Sequence, residues 1–135
     1  DPANITDLIK SLLPLSERAR QRWQMWLAYR GTSMIDKEYA EAHHRLVHIV
    51  REIIEDCLRA SHDHENLAPR LDLKVAARRF MALVHGVGVE ALFDKDDWPP
   101  ETQLAIVLAG IRDMTGLDIP GADGNVHTSV SPAAA

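Results

Sequence analysis

Three histidines on one stretch, His43, His44 and His48, are the first residues of this chain with chemistry to offer. His44 and His48 stand four apart, a helical spacing that can bring two imidazole nitrogens to one metal ion. Glu41-x-x-His44 also matches half of a carboxylate-bridged di-iron signature, which needs a second Glu-x-x-His and two further inward glutamates. No second copy exists in the sequence. With Val50 at the middle of the local apolar stripe, a helical wheel puts His43 roughly 20° from that middle. It puts His44 and His48 roughly 120° and 160° away, on the charged face with Glu41, Glu52 and Glu55. His43 alone aims inward, where it either hydrogen-bonds a ligand or is satisfied by a neighbouring backbone group. No metal and no cofactor are expected.

Arg30 is the more unusual residue. Ala19, Trp23, Trp26, Leu27 and Met34 make one helical stripe with Arg30 in its middle. A buried guanidinium must meet a carboxylate, reach water along its stem, or face a wet cavity. Two readings follow: an ion pair with Glu90 or Asp94, or a grip on an anionic ligand. Trp23, Trp26, Tyr29 and Tyr39 can instead cradle a quaternary ammonium, but such a cage tolerates no cation beside it. Trp23 and Trp26 also read as ordinary core residues. Catalytic patterns are missing: no nucleophile elbow, Gly-rich phosphate loop or cysteine pair occurs. Gly86-Val87-Gly88 lies in an apolar helix with no strand before it. Cys57 reads as a small buried hydrophobe. No enzymatic activity is expected.

The elements that must position these groups are all helical. Asp1-Pro2 reads as a cap and first turn, and Ile5, Leu8, Ile9, Leu12 and Leu13 form a stripe that Pro14 stops. Ser16 caps a second helix to about Ser33. A third runs from about Asp36 to Ala60, and residues 61–70 read as a loop. A fourth spans about Asp72 to Phe93. Trp98-Pro99-Pro100 opens a fifth, which ends near Met114 or Thr115 with Gly116 as C-cap. From Ile119 on, Gly, Pro, Ser and Ala dominate, so residues 116–135 are expected to be a flexible tail.

The chain of 135 residues suits one domain, and 46% hydrophobic with 26% charged residues is ordinary for a globular protein. A net charge of −5 disfavours direct binding to nucleic acid. One cysteine excludes an intrachain disulfide, and with no membrane-length apolar run or signal peptide a cytoplasmic location is expected. The start at Asp1 suggests a fragment. The last two helices are apolar nearly all round and rich in small residues. They read either as an isologous interface, pairing with their symmetry mates as a four-helix bundle, or as a core helix pair.

The Leu12-Leu13-Pro14 stop, Trp23-x-x-Trp26-Leu27-Ala28-Tyr29, Leu83-Val84-His85-Gly86-Val87, and Phe93-Asp94 leading to Trp98-Pro99-Pro100-Glu101 share one resemblance. In order and spacing, from about Leu8 to Met114, they resemble the effector-binding domain of TetR-type regulators, in the branch that includes choline-responsive repressors. His85 departs from the Asp usual there. The resemblance implies an all-α, five-helix ligand-binding and dimerisation domain over residues 1–115, with 1–13 ending the helix that joins it to an upstream helix-turn-helix domain absent from this chain. It implies a homodimer whose interface takes in Val89, Phe93, Leu104, Ile106, Val107, Ala109, Gly110 and Ile111. The implied function is a repressor released from operator DNA, which only the missing domain would touch, by a small-molecule effector. That effector is expected among the second, third and fourth helices, at Trp26, Arg30, Met34, His43, Val47, Met81 and His85. Arg30 stands against simple choline-like sensing. The alternative is a standalone helical protein that binds a small molecule or metal without a DNA partner.

Overall fold

A computed structural model describes residues 2–65 and 71–119, with side chains for 5–61 and 71–119. Five helices follow one another: α1 Pro2–Leu12, α2 Glu17–Ser33, α3 Lys37–Glu65, α4 Leu73–Phe93 and α5 Pro100–Thr115. No strand occurs among the described residues.

Local chemistry sets most boundaries. Pro14 lacks an amide proton and follows the last turn of α1. The Ser16 hydroxyl accepts from the Ala19 amide at 3.2 Å and starts α2. Asp36 accepts from the amides of Glu38 (3.0 Å) and Tyr39 (3.3 Å) at the head of α3. Asp72 does the same for Lys74 and Val75 at the head of α4. Pro100 sits in the first turn of α5, and Gly116 closes that helix at φ 73°, the left-handed conformation that glycine adopts without strain.

The structure differs from the expectation in two places. Helix α3 continues past Ala60 to Glu65, because Ser61 is fully buried and its hydroxyl donates to the Cys57 carbonyl one turn back, at 3.0 Å. A polar residue satisfied within its own helix gives no reason to break it. The chain also stays folded beyond Gly116, since Leu117 and Ile119 are buried in the core. The expected cap at Asp1, the loop around Pro69 and the rest of the tail lie outside the described residues.

Helix α4 is central, packing against α2, α3 and α5, while α1 lies on α3 and α5. Ile5, Ile9 and Leu13 meet Ile54 and Leu58 of α3, Phe80 and Val84 of α4, and Val107 and Ile111 of α5 in one apolar cluster. Arg20 of α2 donates to the Ala91 carbonyl at 2.6 Å and the Leu92 carbonyl at 3.4 Å, so a cation meets the carbonyls that the end of α4 leaves open. The buried Gln103 amide donates to the Trp98 carbonyl at 2.9 Å, fixing the turn before α5.

Candidate functional site

The cavity begins at the proline stop. The last carbonyls of a helix lack partners within it, and the Leu12 carbonyl is taken by the Trp23 indole N–H at 3.0 Å. Trp23 is thereby fixed across the junction of α1 and α2, with its six-membered ring against Gly88 of α4, where an added Cβ would overlap it. Beside this ring a cavity of about 220 Å³ opens between four helices. Ser11 and Leu12 of α1 and Leu13 just after it line it, with Ala19, Arg22, Trp23 and Trp26 of α2. Leu46, Val47, Val50 and Ile54 of α3 and Phe80, Met81, Val84 and His85 of α4 complete the wall. It is an apolar site with few polar groups, the usual form of a small-molecule pocket.

Rings make up one end of it. Trp26 lies edge-on to Trp23 with centroids 5.1 Å apart, and 5.0 Å from His85. His43 stands 6.1 Å from Trp26 and 6.1 Å from Tyr29. Its Nδ1 is buried without a hydrogen-bond partner among the described residues. The Arg30 guanidinium covers the Trp26 ring at 4.8 Å from the centroid, a cation–π contact. That contact replaces the ion pair to Glu90 or Asp94 considered from sequence. Trp26 meets the charge where no described carboxylate does.

Of the seven residues expected to meet an effector, Trp26, Val47, Met81 and His85 line this cavity. Arg30 and His43 stand behind Trp26, in contact with its ring rather than on the wall. Met34 does not join them. It caps the far end of α2 and is 86% exposed. Sequence reasoning missed the α1 wall and Arg22. Arg22 lies three residues after Ala19 and four before Trp26, so its place beside the stripe was available to a wheel. Which helix would face α1 was not.

The interface residues divide in the same way. Val107 and Ile111 are fully buried in this chain's own core, and a Cβ on Gly110 would press on Leu83 of the same chain. Val107 and Ile111 are therefore corrected out of a surface offered to a partner, while Gly110 is half-buried. Phe93 is 83% exposed, while Val89, Leu104, Ile106 and Ala109 are half-buried. His44 and His48 are exposed with ring centroids 4.4 Å apart.

Electrostatics at the cavity favour neutral imidazoles. Burial first, then the charges of Arg30 and His43, push His85 down to about 4. Burial and Arg30 also lower His43. Unfolded, His85 takes its proton near 6.5, and folded only near 4. Between those values the unfolded chain binds more protons, so stability is full above pH 6.5 and falls as pH drops towards 4. Solvent reaches part of the ring, which reduces the loss to about 1–2 kcal/mol. Urea unfolding at pH 7 and pH 4.5 should therefore show a smaller acid loss in His85→Gln than in the unaltered chain. Equal losses would remove His85 as the cause.

Residues 3–116 match the family model described as BetI-type transcriptional repressor, C-terminal. No curated protein and no solved structure matches the chain. No described helix is long and apolar enough to cross a membrane.

Proposed function

The chain belongs to the family of BetI-type transcriptional repressor C-terminal domains, and from that premise we propose that it senses a small-molecule effector and forms the homodimer of a TetR-type repressor. The observation that carries this reading is the cavity between α1, α2, α3 and α4. One of its walls is α1, which in the proposed parent leads towards the DNA-reading domain. An effector that displaces Trp23 acts on α1 through the Leu12 hydrogen bond. Release from operator DNA requires the effector to bind one subunit arrangement better than the other. With a net charge of −5, contact with DNA is assigned to an upstream domain, and the cytoplasm is where such a repressor acts.

The dimer is assigned to the outer faces of α4 and α5. Ala82, Gly86, Val89 and Phe93 follow one another at spacings of four, three and four along α4, all exposed or half-buried. An added Cβ on Gly86 meets nothing within 4 Å, so a second helix can approach closely there. Ile106 and Ala109 of α5 complete the surface, whereas Leu104 shares the helix face of the buried Val107 and Ile111 and packs on this chain's own core.

Native mass spectrometry of the purified chain tests both assignments. A dimer carrying one small-molecule mass per subunit is the expected result. A bare monomer at micromolar concentration would remove the dimer and favour a standalone binding protein.

A further inference from the structure

We propose that the cavity selects a small apolar carboxylate, with its hydrocarbon body among the rings and its carboxylate set against Arg22. The inference rests on the effector-pocket reading above and adds the charge and size of the ligand.

Three observations carry it. The first is the donor inventory of the wall. No described aspartate or glutamate lines the cavity, and Arg22, an exposed residue, does, making no ion pair or hydrogen bond with any described residue. The carbonyl of Leu12, which would attract a cation at the end of α1, is already taken by Trp23. The Ser11 hydroxyl is donated to the Leu8 carbonyl at 2.7 Å. His85, neutral near pH 7 because burial lowers its pKa to about 4, adds an imidazole that can donate one N–H without a competing charge. The free charged group at the wall is thus a cation, and the ligand it suits is an anion with acceptor oxygens.

The second observation excludes the opposite charge. A quaternary ammonium needs an open aromatic face. Arg30 already covers the Trp26 ring at 4.8 Å, and Trp23 and His85 stand against it with centroids 5.1 and 5.0 Å away. A ligand cation would also share the cavity with the Arg22 guanidinium, with no described carboxylate on the wall to offset it.

The third is size. An apolar cavity of roughly 150 Å³ takes up benzene. About 220 Å³ therefore suits a ligand of roughly ten heavy atoms. Octanoate has that size, and octan-1-ol and octyltrimethylammonium carry the same tail with neutral and positive heads.

Titration of these three probes into the chain, read by calorimetry and by the fluorescence of Trp23 and Trp26, tests the proposal. Octanoate is expected to bind at least about tenfold tighter than octan-1-ol, the usual scale of one charge-assisted contact, and the ammonium weaker than either. Arg22→Gln should bring octanoate down to the level of the alcohol. Arg18→Gln, exposed like Arg22 and on the same helix but outside the cavity lining, should leave the preference intact and so controls for overall charge. If the alcohol or the ammonium binds as tightly as octanoate, or if the preference survives Arg22→Gln, the carboxylate assignment is overturned while the cavity stands as a binding site. If none of the three binds, the carboxylate proposal and the effector-pocket reading fall together.

Discussion

Gly88→Ala should lower the stability of the chain by about 2–3 kcal/mol, although alanine is the better helix former by about 1 kcal/mol. The methyl group would overlap three atoms of the Trp23 six-membered ring. That ring cannot simply swing away, because its N–H is committed to the Leu12 carbonyl. Overpacking of this kind costs about 1–3 kcal/mol, and loss of a hydrogen bond at a part-buried carbonyl adds about 1 kcal/mol or more. Thermal unfolding followed by circular dichroism should show a midpoint lower by roughly 10 °C. Gly31→Ala gives the opposite sign, since nothing lies within 4 Å of the added Cβ there, and should gain up to about 1 kcal/mol. Combining Gly88→Ala with Trp23→Phe should recover part of the loss, because the shorter ring vacates the overlapped space. A Gly88→Ala chain as stable as the unaltered one would show that Trp23 is not held in place.

The second large effect is expected on assembly. Phe93→Asp should convert the proposed dimer to a monomer at micromolar concentration, read by sedimentation velocity. Phe93 is 83% exposed in the single chain, and burying such a side chain is worth about 1.5–3 kcal/mol. An isologous interface counts each residue twice. Two lost phenyl groups and two carboxylates forced into an apolar contact together exceed about 4 kcal/mol, or a thousandfold in dissociation constant. The fold of each subunit should survive, because the end of α4 is held from the other side by Arg20 on the carbonyls of Ala91 and Leu92. If the Phe93→Asp chain sediments as a dimer, the interface lies elsewhere.

Those two positions also show what a sequence can and cannot convey. Helix ends were legible where a single residue supplies the missing partner, as at Ser16, Asp72 and Gly116. The end of α3 was not, because Ser61 looks like a loop residue until its hydroxyl is seen bonded back to Cys57. Periodicity assigns faces, and it put Trp26 on an inward stripe of α2, whereas Val47, Met81 and His85 were expected from the resemblance; all four line the cavity. It does not assign neighbours, so α1 as a wall was out of reach, although the place of Arg22 beside the α2 stripe was not. On α5 periodicity had least to offer. A helix apolar on every side has no unique inner face, and Val107 and Ile111 went inward while Leu104, Ile106 and Ala109 stayed half-covered.

The bond between Trp23 and Leu12 has a mechanical consequence. Helix α1 is a rod of 11 residues, about 16 Å long at the usual rise. Near its middle it rests on two bearings, the fully buried side chains of Ile5 and Ile9. At the Leu12 end it is pinned to a ring that a ligand can push. A rod supported between its ends answers a push at one end by rocking. A tilt of roughly 10° about that middle would swing each arm of about 8 Å by about 1.4 Å at its tip, so this geometry is that of a lever with its fulcrum in the core.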